Sequence, residues 1–94
     1  MKVVWLRTAL RNLQDEAEFI ARDNPRAARE VAGRIWDAVV YLAEHPSLGR
    51  AGRVHGTREL VVPETPYILP YRVRGDRIEI LRVFHGSRRW PERL

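Results

Sequence analysis

Tyr67-Ile68-Leu69-Pro70-Tyr71-Arg72-Val73, then Arg74-Gly75-Asp76, then Arg77-Ile78-Glu79-Ile80-Leu81-Arg82-Val83-Phe84 is the stretch that decides the fold of this chain. Two runs of aliphatic and aromatic residues flank a short turn whose glycine can take a positive φ, which predicts an antiparallel hairpin. Pro70 has no N–H to give to a ladder, so it belongs at an edge or a bulge. Upstream, Thr57 to Val62 is a third strand candidate, with Pro63 and Pro66 bracketing its connection to the hairpin. The three runs form a meander. Residues 46–56 (Pro-Ser-Leu-Gly-Arg-Ala-Gly-Arg-Val-His-Gly) keep no period of 2 or 3.6 and read as a loop.

The first half has a different rhythm. Val3 to Leu6 is a short apolar strand candidate, followed by Thr8 as a candidate helix cap and by Leu10, Leu13, Ala17 and Ile20 at helical steps. Asn24-Pro25 ends that helix and opens a second, with Asn at the cap and Pro at the first helical position, where its missing N–H is harmless. Ala28, Val31, Ala32, Ile35, Val39 and Leu42 continue as one apolar stripe to about Glu44, and His45-Pro46 stops it. Arg11/Asp15 and Glu30/Arg34 fall at i,i+4, as exposed helical ion pairs do. The order β-α-α-β-β-β predicts an α+β fold, a helical hairpin packed on a small antiparallel sheet, with residues 1–94 as a single domain.

Composition narrows the chemistry. Without cysteine there is neither a disulfide framework nor a thiolate metal site, and His45, His55 and His85 lack zinc-ligand spacing, so no metal or other cofactor is expected. No segment approaches the ~20 apolar residues of a membrane span, and the first residues do not resemble a signal peptide. A cytoplasmic protein without a membrane partner is expected. Residues 1–45 carry seven basic and seven acidic groups, whereas residues 46–94 carry ten arginines against five acidic groups, so the whole net charge of +5 lies in the second half. That segregation points to an anionic partner. A GC-rich genome alone would favour Arg over Lys, but it does not explain the segregation.

The last strand run delivers His85, Gly86, Ser87, Arg88, Arg89 and Trp90 together. An imidazole, a hydroxyl, guanidiniums and an indole in one place suit a phosphate backbone or an acidic protein surface. If His85 and an Arg converge they also suit phosphodiester cleavage. The bland readings are a histidine that caps the strand and a Trp90 that packs back on the domain rather than anchoring a partner.

Five segments in order resemble the ParE/RelE superfamily, the toxins of bacterial type II toxin–antitoxin modules. They are Asn24-Pro25-Arg26-Ala27-Ala28, Leu42 to Arg50, Arg58-Glu59-Leu60, Tyr67 to Val73, and Ile80 to Arg88. The resemblance implies a growth-inhibiting toxin silenced by a cognate antitoxin, and the superfamily holds two activities on one fold. RelE-like members cleave mRNA on the ribosome, whereas ParE-like members inhibit DNA gyrase. The RNA-cleaving pattern implies an Arg where Ile68 stands and basic residues among Glu59, Val61 and Pro63; only Arg88 matches. The chain therefore looks closer to ParE, a gyrase inhibitor without catalysis of its own, with Arg82, His85, Arg88, Arg89 and Trp90 contacting the target. The alternative is a ribosome-dependent endoribonuclease using Glu59, His85 and Arg88. A second alternative is a non-toxic basic module that binds nucleic acid. The antitoxin is expected to be an acidic, amphipathic segment that folds on binding, meeting Arg58, Arg72 and Trp36.

Overall fold

The computed structural model describes residues 1–94. The elements are β1 (Lys2–Trp5), α1 (Arg7–Asp23), α2 (Pro25–Glu44), β2 (Arg50–Ala51), β3 (Arg58–Val61), β4 (Tyr67–Arg74), β5 (Arg77–Ile80) and β6 (Phe84–His85). The helical hairpin covers one face of a sheet ordered β1-β5-β4-β3-β2, with β6 also on β4. The α+β architecture is the one the sequence predicts. The sheet itself is mixed, because β1 runs parallel to β5. Leu6 alone joins β1 to α1, and one residue cannot turn the chain back. Four reversals then follow, at Asn24, residues 45–57, residues 62–66 and Gly75-Asp76, and an even number returns β5 to the direction of β1.

Local chemistry explains the elements. Asn24 Oδ1 accepts from the Ala27 N–H at 3.1 Å and Pro25 is the first residue of α2, as predicted. Helix α1 starts earlier than Thr8 suggests: Leu6 is its cap, without a side-chain hydrogen bond, and Thr8 is inside the helix. Its buried stripe begins at Ala9, and Leu10 is exposed. On α2, Ala28, Ile35, Val39 and Leu42 face inward whereas Ala32 is exposed. The ion pairs also differ, because Glu30 bonds Arg26 and Arg34 reaches across to Glu64.

The helix-facing side of the sheet supplies Leu60, Val62, Tyr67, Leu69, Tyr71, Ile78 and Ile80 to a core shared with Ala9, Ile35, Val39 and Leu42. Removing a Leu42-sized side chain fully from water contributes about 2–3 kcal/mol. The predicted single strand from Arg77 to Phe84 is interrupted. Tyr71 opposes Ile80 and Ile68 opposes Phe84, so three steps along β4 match four along the last strand: a bulge. Pro70 O accepts from Leu81 N at 2.9 Å, so the missing N–H of Pro70 faces that bulge, where no ladder bond is needed.

Candidate functional site at the end of the last strand

His85 opposes Tyr67 across β6 and β4, with the rings edge to face at 5.7 Å between centroids. Its Nδ1 lies 2.8 Å from Ser87 Oγ, and Ser87 N donates to the same atom at 3.3 Å. The imidazole is thus fixed by its own turn, which Arg88 N closes by donating to His85 O at 3.1 Å. Helix α1 meets this turn side-on. Asn12 Oδ1 accepts from Val83 N at 3.2 Å, and Glu16 Oε2 pairs with Arg88 Nη1 at 3.0 Å. The other oxygen of Glu16 is buried and has no hydrogen-bond partner.

Burial raises the Tyr67 phenol above its ordinary value, with the negative charge of Glu16 adding to the effect and Arg88 opposing it. Glu16, His85, Arg88 and Arg89 border one cavity of about 230 Å³. Beyond it, Trp90 folds back on the domain. Its Nε1 donates to His85 O at 3.3 Å, its ring meets Phe84 at 4.8 Å, and the Arg53 guanidinium sits over the ring, 3.6 Å from its centroid. Arg82 is occupied by the carbonyls of Leu81 and Leu94, both at 2.8 Å. Arg89 is exposed and makes no ion pair.

The cluster His85, Arg88, Arg89 and Trp90 is therefore assembled, but Glu59 does not join it. Glu59 opposes Pro70, three residues along β4 from Tyr67, so its side chain is on the helix-free face while His85 is on the helix-facing one. Only 2 % exposed, it is held by Arg50 at 3.1 Å and Arg53 at 3.6 Å. Ile68 is buried on that same helix-free face, opposite Phe84. The carboxylate that does meet Arg88 is Glu16. Its sequence signal was available, because Glu16 lies three residues after Leu13 and four before Ile20, on the inward stripe of α1.

Arg58, Arg72 and Trp36 are also apart. Arg58 donates to the carbonyls of Gly49 and Ser47 at 2.8 and 3.3 Å, Arg72 is on the helix-free face bound to Glu79, and Trp36 is 65 % exposed on α2. A larger groove of about 610 Å³ runs between α2 and β3. Ala38, Tyr41, Leu48 and Val61 line it, with Arg34 and Arg50 at its rim. No group of three or more His, Cys, Asp or Glu is placed to hold a metal ion, and no helix is long and apolar enough to cross a membrane.

This arrangement has known counterparts. The family description "ParE toxin of type II toxin-antitoxin system, parDE" matches residues 3–90. The chain belongs to the ParE toxin family. It is thus the toxin of a type II toxin–antitoxin system, and the membership covers both the helical hairpin and the terminal cluster. Y4kP of Sinorhizobium fredii, named as a candidate toxin, is 46% identical over 93 residues, covering 99% of this chain and 96% of that protein. Toxin RelE1 of Caulobacter vibrioides is 31% identical over 70 residues, covering 72% of this chain and 74% of its own length. A structure described as a chromosomal ParDE system from P. aeruginosa superposes with a TM-score of 0.81 at 28% identity, covering 93% of this chain and 97% of the other. The shared fold and the ParE membership agree with the resemblance carried by the five sequence segments.

Proposed function

We propose that this ParE-family toxin inhibits growth by binding DNA gyrase through the strand end that carries His85, Arg88, Arg89 and Trp90, without cleaving RNA. The observation that carries the reading is the separation of Glu59 from His85 and Arg88 onto opposite faces of the sheet, with Ile68 and Val61 at positions where RNA-cleaving relatives would need cations. Cleavage by 2′-OH attack requires a base, an acid and a cation around one phosphate. Arg89 and the half-exposed Arg88 are the groups of this end most free to meet an acidic protein surface, whereas Arg82 supports the tail from within.

The competing reading, ribosome-dependent mRNA cleavage, draws on Glu16, His85 and Arg88 bordering one cavity. The two separate in a paired assay: the purified chain is expected to block supercoiling by purified gyrase and to leave ribosome-programmed mRNA intact. Cleavage without gyrase inhibition would overturn the proposal.

A cognate antitoxin is part of the same proposal. The α2–β3 groove offers apolar side chains between Arg34 and Arg50, which suits an acidic amphipathic segment that orders as it binds. Of the three residues expected for this contact, Trp36 is the one left without a structural duty.

A further inference from the structure

The helix-free face of the sheet carries a second pattern, at the end remote from His85. Lys2 opposes Arg77 on one side, and Arg74 opposes Arg77 on the other. Directly opposed residues share a face, so three cations stand in one row across β1, β5 and β4. In the next row Glu79 opposes Arg72, and its two oxygens bond Arg72 at 2.6 Å and Arg77 at 3.0 Å. One row further along β4, opposite Pro70, Glu59 lies between Arg50 and Arg53 in the same way. The strip holds six cations against two buried carboxylates; the turn adds one exposed carboxylate, Asp76.

Like charges placed directly opposite on a sheet destabilise it, and Lys2 and Arg74 have no ion-pair partner. Each carboxylate anchors two guanidiniums and leaves their outer N–H groups unused, an arrangement suited to phosphate oxygens. Rows two residues apart are ~6.6–6.8 Å apart along the strands, so the charges form a track rather than a point. No aromatic side chain lies among Lys2, Arg72, Arg74 and Arg77, which argues against single strands that stack their bases. It argues equally against an amphipathic peptide, which needs apolar anchors.

We infer that the helix-free face, along Lys2, Arg77, Arg74 and Arg72, is a binding track for the phosphate backbone of duplex DNA. The track reads charge and not sequence. These four residues stop short of Arg53, which lies over Trp90 of the strand-end cluster, and the track does not depend on which target the toxin attacks.

The test is fluorescence anisotropy of a labelled duplex DNA oligonucleotide with the purified full-length chain over a range of salt concentrations. Two doubly substituted variants accompany it: Lys2→Gln with Arg74→Gln on the track, and Arg22→Gln with Arg29→Gln on the helices. All four residues are exposed and outside every ion pair, and circular dichroism checks that both variants fold. The track variant should bind more weakly, with the slope of log affinity against log salt smaller by about 2, near 0.9 for each phosphate no longer neutralised. The helix variant should keep the wild-type slope. Equal losses in both variants would reduce the effect to net charge and overturn the inference. So would wild-type protein that ignores duplex DNA yet binds an oligoglutamate peptide through the same residues.

Discussion

The Tyr71 hydroxyl donates to Pro46 O and accepts from Gly49 N, both at 2.8 Å, and so clasps the loop after α2 to the middle of the sheet. Tyr71→Phe removes both bonds and leaves a buried N–H unpaired, an expected loss of about 1–3 kcal/mol measurable by urea unfolding. Gly49→Ala is expected to be at least as harmful, because a Cβ there would come within 2.5 Å of the Tyr71 ring. Glu79 makes a prediction about acid. Its hydrogen bond to Arg72, with the charges of Arg72 and Arg77, holds the carboxyl below its ordinary range against the opposing effect of burial. The stabilisation is thus present above the unfolded-state pKa and lost as pH falls through the lower folded-state value. Glu79→Gln should flatten the stability–pH curve on the acid side while leaving its alkaline side unchanged. Tyr67 and Tyr71 act in the opposite direction: burial raises both phenols, so the folded state favours their neutral forms and loses stability as pH climbs past about 10.

At the scale of elements, the two helix starts make a contrast. Helix α2 has a side-chain cap from Asn24, and Asn24→Ala should cost about 1 kcal/mol in thermal or chemical unfolding. Helix α1 lacks one and is instead held by Leu6 N donating to Ile80 O at 3.0 Å, a tertiary bond that no local residue pattern announces. The tail after β6 is an element held by side chains: Trp90 between Phe84 and Arg53, Arg88 on Glu16, Arg82 on Leu94. Trp90→Ala should release it, seen as faster limited proteolysis after His85 together with a loss of about 1–2 kcal/mol from stacking and cation–π contact. Hairpin and helices were legible because alternation and the 3.6-residue period are local. The split between β5 and β6 was not, since an apolar run reads the same with or without an inserted residue; only Pro70 hinted at the bulge.

For the whole molecule, the proposed antitoxin contact pairs the apolar α2–β3 groove with its basic rim of Arg34 and Arg50. Raising salt should slow association of the antitoxin much more than it weakens the final complex, which stopped-flow and equilibrium titration together can check. The sequence by itself determined the α+β class, the helical hairpin, the meander and the grouping of His85, Arg88, Arg89 and Trp90. Each of these follows from spacing along a single segment or from its immediate neighbours. Tertiary structure alone decided that Glu59 and His85 lie on opposite faces, that Glu16 from α1 is the carboxylate beside Arg88, and that Lys2 stands in line with Arg77 and Arg74. Such groupings depend on strand register and on which helix face docks, and those are set by burying one shared core from both halves of the chain.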